Sequence, residues 1–169
     1  MYVPDTVGRT RWAGHGGPDT VGRTRWAGHT GTVDDGMARA RFARARVARL
    51  GTVGRGGAPH LVPVVFAVVA ETVVFAIDHK PKTTANLRRL RNIREDPQVS
   101  LLADHYEDDW AQLWWVRADG LARVVEGGTE REAALDALAS KYPQYRERRP
   151  AGPVIVVTVT RWTGWSATP

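Results

Sequence analysis

Ten residues constrain the fold most: 60–69, His-Leu-Val-Pro-Val-Val-Phe-Ala-Val-Val. They are nearly all apolar and rich in β-branched side chains, the composition of a strand covered on both faces. Pro63 lacks an N–H, so it belongs at a sheet edge, at a bulge, or where something other than a strand approaches. Residues 50–53 form the strand before it, and Gly54-Arg55-Gly56-Gly57-Ala58 supplies the positive φ of a hairpin turn. Ala70-Glu71 reverses the chain, and 72–78 returns as a third strand.

The remaining elements follow from spacing. Residues 38–50 read as a helix with Ala40, Ala43, Val47 and Leu50 on one face, Phe42 off it, and a solvated arginine side. A second helix runs from Thr83 or Thr84 to about Glu95, with Leu87, Leu90 and Ile93 inward and Pro97 as its stop. Residues 99–106 form a fourth strand. The acidic loop Glu107-Asp108-Asp109 follows; it lacks metal-loop spacing and reads as solvated. Residues 113–125 are strand-like. Asp119-Gly120 inside them signals either a hairpin or a bend in one long strand. Thr129-Glu130-Arg131-Glu132 is a capping box opening a helix to about Tyr142, with Leu135, Leu138 and Tyr142 on its apolar side. Residues 143–153 read as a loop, 154–161 as the last strand, and Trp162-Thr163-Gly164-Trp165 closes the chain. Hairpin-joined strands interrupted by helices predict a mainly β fold with α: a small antiparallel barrel with helices at its openings.

A length of 169 residues bounds the chain to about one domain. Residues 4–15 and 18–29 are the same twelve residues, PDTVGRTRWAGH. Two copies of so short a Gly-rich unit cannot bury a face, so 1–36 reads as a disordered extension and 37–167 as the domain, with Met37 a natural initiator. Cysteine is absent, which excludes disulfides and thiolate metal sites. No apolar run reaches the roughly 20 residues of a membrane span, and no secretory-type segment opens the chain, so a cytoplasmic location is expected. The net charge of +6 collects in two clusters. One is Arg39, Arg41, Arg44, Arg46 and Arg49; the other is Lys80, Lys82, Arg88, Arg89, Arg91 and Arg94. Aromatics are not interleaved with these residues, so a nucleic-acid partner is not expected.

The second cluster opens a helix after a strand. Helix N-termini carry free N–H groups and partial positive charge. With Lys80, Lys82, Thr83 and Thr84 added, this junction is a candidate phosphate grip. A solvated basic loop with a threonine cap is the alternative.

Several motifs carry a resemblance when taken in order. They are Leu50-Gly51-Thr52-Val53, residues 59–64, Asp78-His79-Lys80-Pro81-Lys82-Thr83, Asn86-Leu87-Arg88-Arg89 with Asp96-Pro97, residues 113–117, and Arg161-Trp162-Thr163-Gly164-Trp165. Over about 37–167 the chain resembles the pyridoxamine-phosphate-oxidase-like split-barrel proteins, and most closely the actinobacterial subgroup that uses the deazaflavin coenzyme F-420. The resemblance implies a six-stranded antiparallel split β-barrel with flanking helices. It also implies a homodimer with cofactor sites at the interface, and an oxidoreductase in which reduced F-420 passes hydride to an unsaturated or quinone-like acceptor. Lys80, Lys82 and Thr83, flanked by His79 and Thr84, would hold the cofactor phosphate. Val62, Pro63, Val64, Ile77 and Asp78 would line the ring, with backbone N–H groups near 62–64 polarising it. Trp165 would arrive from the partner subunit. Arg88, Arg89 and Arg91 could meet a glutamylated tail. An apolar second strand implies an apolar substrate. FMN would need much the same grip and is the alternative cofactor. A non-catalytic flavin, deazaflavin or haem carrier is the alternative role, with His60, His79 and His105 as the barrel histidines. No side-chain pair looks like a nucleophile with its base, as expected where a cofactor carries the chemistry.

Overall fold

A computed structural model describes residues 33–77 and 87–168. One antiparallel sheet holds seven strands: β1 (Ala48–Val53), β2 (Pro59–Val64), β3 (Ala67–Val69), β4 (Thr72–Ala76), β5 (Gln98–His105), β6 (Trp114–Val125) and β7 (Val154–Ser166). The helices are α1 (Asp35–Arg44), α2 (Arg88–Glu95), α3 (Thr129–Lys141) and α4 (Pro143–Glu147), with a 3-10 turn at Trp110–Gln112. The strand order is β2-β1-β5-β6-β7-β4-β3. β2 and β3 therefore lie at opposite ends of the sheet, yet only Val65 and Phe66 separate them in the chain. The sheet curls until its ends meet at those two residues and stays open elsewhere, which is a split barrel.

The seventh strand arises because the expected single strand 60–69 breaks at Val65-Phe66. The expectation that both its faces are covered fails for β2. As an edge strand it alternates exposed and half-buried residues, and Leu61 is 67% exposed. Pro63 sits on this edge strand, paired through β1 alone.

Inside the barrel, Leu50, Leu101, Val116, Phe75, Ile155 and Val157 form one core with Phe42 of α1. Phe42 packs on Phe66 at 4.7 Å and on Trp162 at 5.3 Å. The buried face of α1 is thus Ala38 and Phe42, four residues apart, not the alanine stripe that excluded Phe42. The largest apolar side chain decides which way the helix turns. The helix also stops at Arg44, and Val47 stands 41% exposed. Asp34 caps α1 by accepting from the Met37 N–H at 3.0 Å, and buried Val33 donates to the Gly164 carbonyl. The boundary expected at 36/37 therefore falls inside α1, and the fold reaches back to Val33.

α3 packs Leu135, Leu138 and Tyr142 against β3, β4 and β7 in a second core, as their spacing predicts. Its capping box does not form. Gly128 at φ 86° precedes the helix, and Glu130 and Glu132 are drawn instead to Arg123 and Arg149. α4 occupies part of the segment expected to be a loop. β6 is one strand with a bulge at Asp119/Gly120, where a Cβ on Gly120 would collide with the Thr158 carbonyl. β7 continues to Ser166, so the Trp162–Trp165 motif is strand, with Trp162 turned inward and Trp165 paired to Trp115.

Candidate functional site

The barrel opens where β3 stops pairing with β4. Their register runs Val69↔Thr72, Val68↔Val73 and Ala67↔Val74, then ends; Phe75 and Ala76 pair only with β7. The backbone of Phe66, the next residue, is taken by a side chain. The Tyr142 hydroxyl accepts from the Phe66 N–H at 3.1 Å and lies 2.9 Å from the carbonyls of Phe66 and Arg46, which share its single proton. One hydroxyl thus takes the backbone groups of Phe66 in place of a strand partner. Burial pushes the Tyr142 pKa up, which keeps the hydroxyl protonated. Beside it, Lys141 Nζ donates to the carbonyls of Ala43 and Ala45 at 2.8 and 2.7 Å and sits 4.1 Å over the Phe66 ring. Burial and the Arg46 guanidinium outweigh those contacts and lower its pKa to about 8.

Past this wedge, β2 and the end of β4 diverge. Val62 and Val64 of β2, Ile77 just after β4, and Leu87 just before α2 are half-buried against the barrel core. They form the apolar wall of the seam. The structure therefore packs Val62, Val64 and Ile77 against one core, while Pro63 is exposed on the outer side of β2. Trp165 lies on the outward side of β7, away from these three within one chain. Asp78, His79, Lys80, Lys82, Thr83 and Thr84 lie outside the described residues. Their flanks, Ile77 and Leu87, both pack against the barrel core.

Two expectations about this region are corrected. α2 begins at Arg88, because Leu87 is extended with φ −65° and ψ 129°; Thr83 and Thr84, expected to open it, lie outside the described residues. The N–H groups of Val62 and Val64 do not face the seam. The β1–β2 ladder runs unbroken from Ala48↔Val64 to Val53↔Pro59. In an antiparallel ladder alternate residues bond the partner with both N–H and C=O. Pro59 and Pro63 have no N–H to give, so the bonding set is His60, Val62 and Val64.

Sequence reasoning missed the device that orients α2. Asn92 is buried; its Nδ2 donates to Thr52 Oγ1 at 3.0 Å, and Thr52 Oγ1 lies 3.4 Å from the His60 carbonyl. A Cβ on Gly54 would stand 2.8 Å from Asn92 Oδ1, so glycine there lets the hairpin close over the helix. A polar residue between Leu90 and Ile93 on the inner side of a short helix was the available signal. The network sets the basic face of α2 beside His60. Desolvation, then Arg88 and Arg89, hold the imidazole below its usual pKa, so it is neutral near pH 7. Arg55, Arg88 and Arg91 line a groove of about 280 Å³ between hairpin and helix.

A larger groove, about 550 Å³, lies on the outer face of the sheet, bordered by Gly51, Ser100, Asp119, Thr160 and Arg161. Asp119 accepts from Ser100 Oγ at 2.6 Å, Arg161 Nη2 at 2.8 Å and Arg117 Nε at 3.1 Å. Burial pushes its carboxyl up, but these donors outweigh it and leave the pKa below the usual carboxylate range. Each charge in this cluster is answered within the chain. Among the described residues no group of His, Asp and Glu could hold a metal ion, and no helix is long and apolar enough to cross a membrane.

A curled sheet open along one seam, with helices at its ends, is the architecture of a class of split-barrel proteins. A conserved hypothetical protein of Mycobacterium tuberculosis has a similar structure: TM-score 0.67, 20% identity, covering 81% of this chain and 87% of that one. So do a FAD-binding protein of Mesorhizobium loti (0.64, 16%, 81% and 97%) and HutZ, the haem storage protein of Vibrio cholerae (0.61, 15%, 78% and 93%). The family model for pyridoxamine 5'-phosphate oxidase matches residues 35–166, and the chain belongs to that family. No curated protein matches it.

Proposed function

We propose that the seam binds the ring of a flavin-type cofactor, coenzyme F-420 foremost and FMN as the alternative, and that the protein is an oxidoreductase acting on an apolar unsaturated or quinone-like molecule. The observation that carries this reading is the joining of an apolar wall to a basic helix. Val62, Val64 and Ile77 offer the flat aliphatic contact a fused ring needs. Arg88 and Arg91 follow Leu87 in the chain and line the groove between hairpin and helix, where an anionic tail would be answered. The FAD-binding relative of the same fold supports a flavin, and family membership supports redox chemistry. The cofactor when bound supplies hydride transfer. The chain's own residues bind, orient and exclude water. Lys80, Lys82, Thr83 and Thr84 hold phosphate, with Asp78 and His79 leading into them.

The homodimer belongs to the same proposal. The outer face of β1, β2, β5 and β6 presents Val53, Leu61, Leu102 and Leu121, all exposed. Its charges are paired internally, Arg49 with Asp104 at 2.6 Å and Arg117 and Arg161 with Asp119. Such a face can be covered without leaving an unpaired charge. A second copy seated there brings its own Trp165, which also lies on the outward surface.

The experiment is titration of the purified full chain with F-420 and with FMN, followed by fluorescence and absorbance. Binding of either below about 100 μM, roughly −5.5 kcal/mol, is expected; failure of both removes the oxidoreductase reading. Neutral His60 favours one second reading, a haem carrier, since a neutral imidazole is the form that ligates metal. A Soret band on haem addition that vanishes in His60→Ala supports it.

A further inference from the structure

Three arginines of the first basic cluster find acceptors within the chain. Arg39 meets Glu71 and the Ala70 carbonyl, Arg46 the Lys141 carbonyl, and Arg49 Asp104. Arg41 differs: its Nη1 is buried and has no hydrogen-bond partner. The Arg41 guanidinium lies 5.7 Å over the ring of half-buried Trp114. His105, the residue opposite Trp114 on β5, stacks on that ring with centroids 6.5 Å apart and planes 22° from parallel. Glu107 is 3.5 Å from His105 Nε2 and leaves Arg41 unanswered. Arg41 as a whole is only half-buried, so the cluster is approached from solvent beside α1. It stands apart from the basic groove of Arg88 and Arg91. α2 ends just before β5 begins, and His105 closes β5. A strand of this length, at about 3.3 Å per residue, puts roughly 20 Å between the two.

We infer that Arg41 and Trp114 form a second ligand site, for a planar carboxylate: the carboxylate answers the Arg41 guanidinium while its flat apolar body lies against Trp114 and His105. A buried donor without an acceptor is costly, and folded chains rarely keep one. The carboxylates nearby are already committed, Glu71 to Arg39, Asp104 to Arg49 and Asp34 to the start of α1. The missing acceptor therefore comes from a bound molecule. A guanidinium held over an indole is partly dehydrated and fixed in orientation, which strengthens its bond to an oxyanion. The indole and imidazole add contact area that only a ligand with a flat apolar part can use. A small inorganic anion would meet the charge alone. The site does not depend on the proposed cofactor.

Titration calorimetry of the purified full chain with benzoate, acetate and inorganic phosphate tests this. Benzoate binds with a Kd of about 1 mM or tighter, and acetate and phosphate at least about tenfold more weakly. Arg41→Met keeps most of the side chain's length and removes its charge; it loses about tenfold or more in benzoate affinity. Trp114→Leu brings benzoate down to the affinity of acetate. No saturable benzoate binding up to about 20 mM overturns the inference. So does an unchanged affinity in Arg41→Met, or an affinity lost in Arg88→Gln instead, which places the anion in the basic groove. Phosphate bound as tightly as benzoate overturns the assignment to a planar carboxylate. Should Arg41→Met or Trp114→Leu fail to fold, the indole N–H resonance of Trp114 in the 15N-labelled wild type decides. It shifts on adding benzoate if the site is real and stays fixed if it is not.

Discussion

Tyr142→Phe tests the account of how the barrel is held open. The substitution keeps the ring, its packing against Tyr145 and the guanidinium of Arg46 over its face at 4.7 Å, so no cavity forms. It removes one hydroxyl that serves three backbone groups: the Phe66 N–H, the Phe66 carbonyl and the Arg46 carbonyl. Phe66 is fully buried, so water cannot replace the lost partner. Leaving a buried donor unsatisfied costs about 1–3 kcal/mol, and the carbonyls add less because each has a second lone pair. The total is about 2–3 kcal/mol. For a domain of this size that lowers the melting temperature by roughly 6–12 °C. Chemical denaturation at pH 7 reads the free energy, and calorimetry the midpoint. A pH series gives an independent check. Burial raises the native pKa of Tyr142 above its ordinary 10.0, so its contribution is complete below pH 10 and is lost as the pH rises through the native value. Wild type therefore loses stability above pH 10 and the variant does not. A variant as stable as wild type, within about 0.5 kcal/mol, refutes the hydroxyl as the strut of the seam.

Lys141→Met tests the neighbouring ammonium. Its native pKa is lowered to about 8 from 10.5, so the stability it contributes is present above pH 10.5 and lost as the pH falls through 8. Wild type gains stability relative to the variant between pH 8 and 10.5; parallel curves contradict the assignment. His60 reports on the basic groove: an anion bound at Arg88 and Arg89 cancels part of the charge that depresses its pKa, so the NMR titration midpoint moves up on adding phosphate or cofactor. A midpoint that stays put places the anion elsewhere. Leu102→Glu sets a carboxylate on the outer face beside Asp104 and is expected to turn a dimer into a monomer by light scattering with little change in melting temperature. A wild-type monomer at micromolar concentration removes the dimer proposal.

The pattern of the chain was sufficient for the class of fold. Turn glycines, the apolar strands and the Leu135, Leu138 and Tyr142 stripe are local signals, since each depends on backbone conformation or on periodicity within one element; at Asp119-Gly120 the local pattern left hairpin and bend open, and the pairing of β6 with β7 decides for one strand. Val62, Val64 and Ile77, the apolar wall of the proposed site, were reached through the resemblance and pack against the barrel core. What no local pattern could reveal depends on residues distant in the chain. Phe42 turns inward because Phe66 and Trp162 meet it. The strand 60–69 breaks because a hydroxyl 76 residues away takes the backbone of Phe66. The free edge of β2 is defined by which neighbour it lacks, and that follows from the sheet order rather than from the prolines alone. Short-range propensity sets what each segment can be; the closing of the barrel sets which backbone groups remain for a ligand.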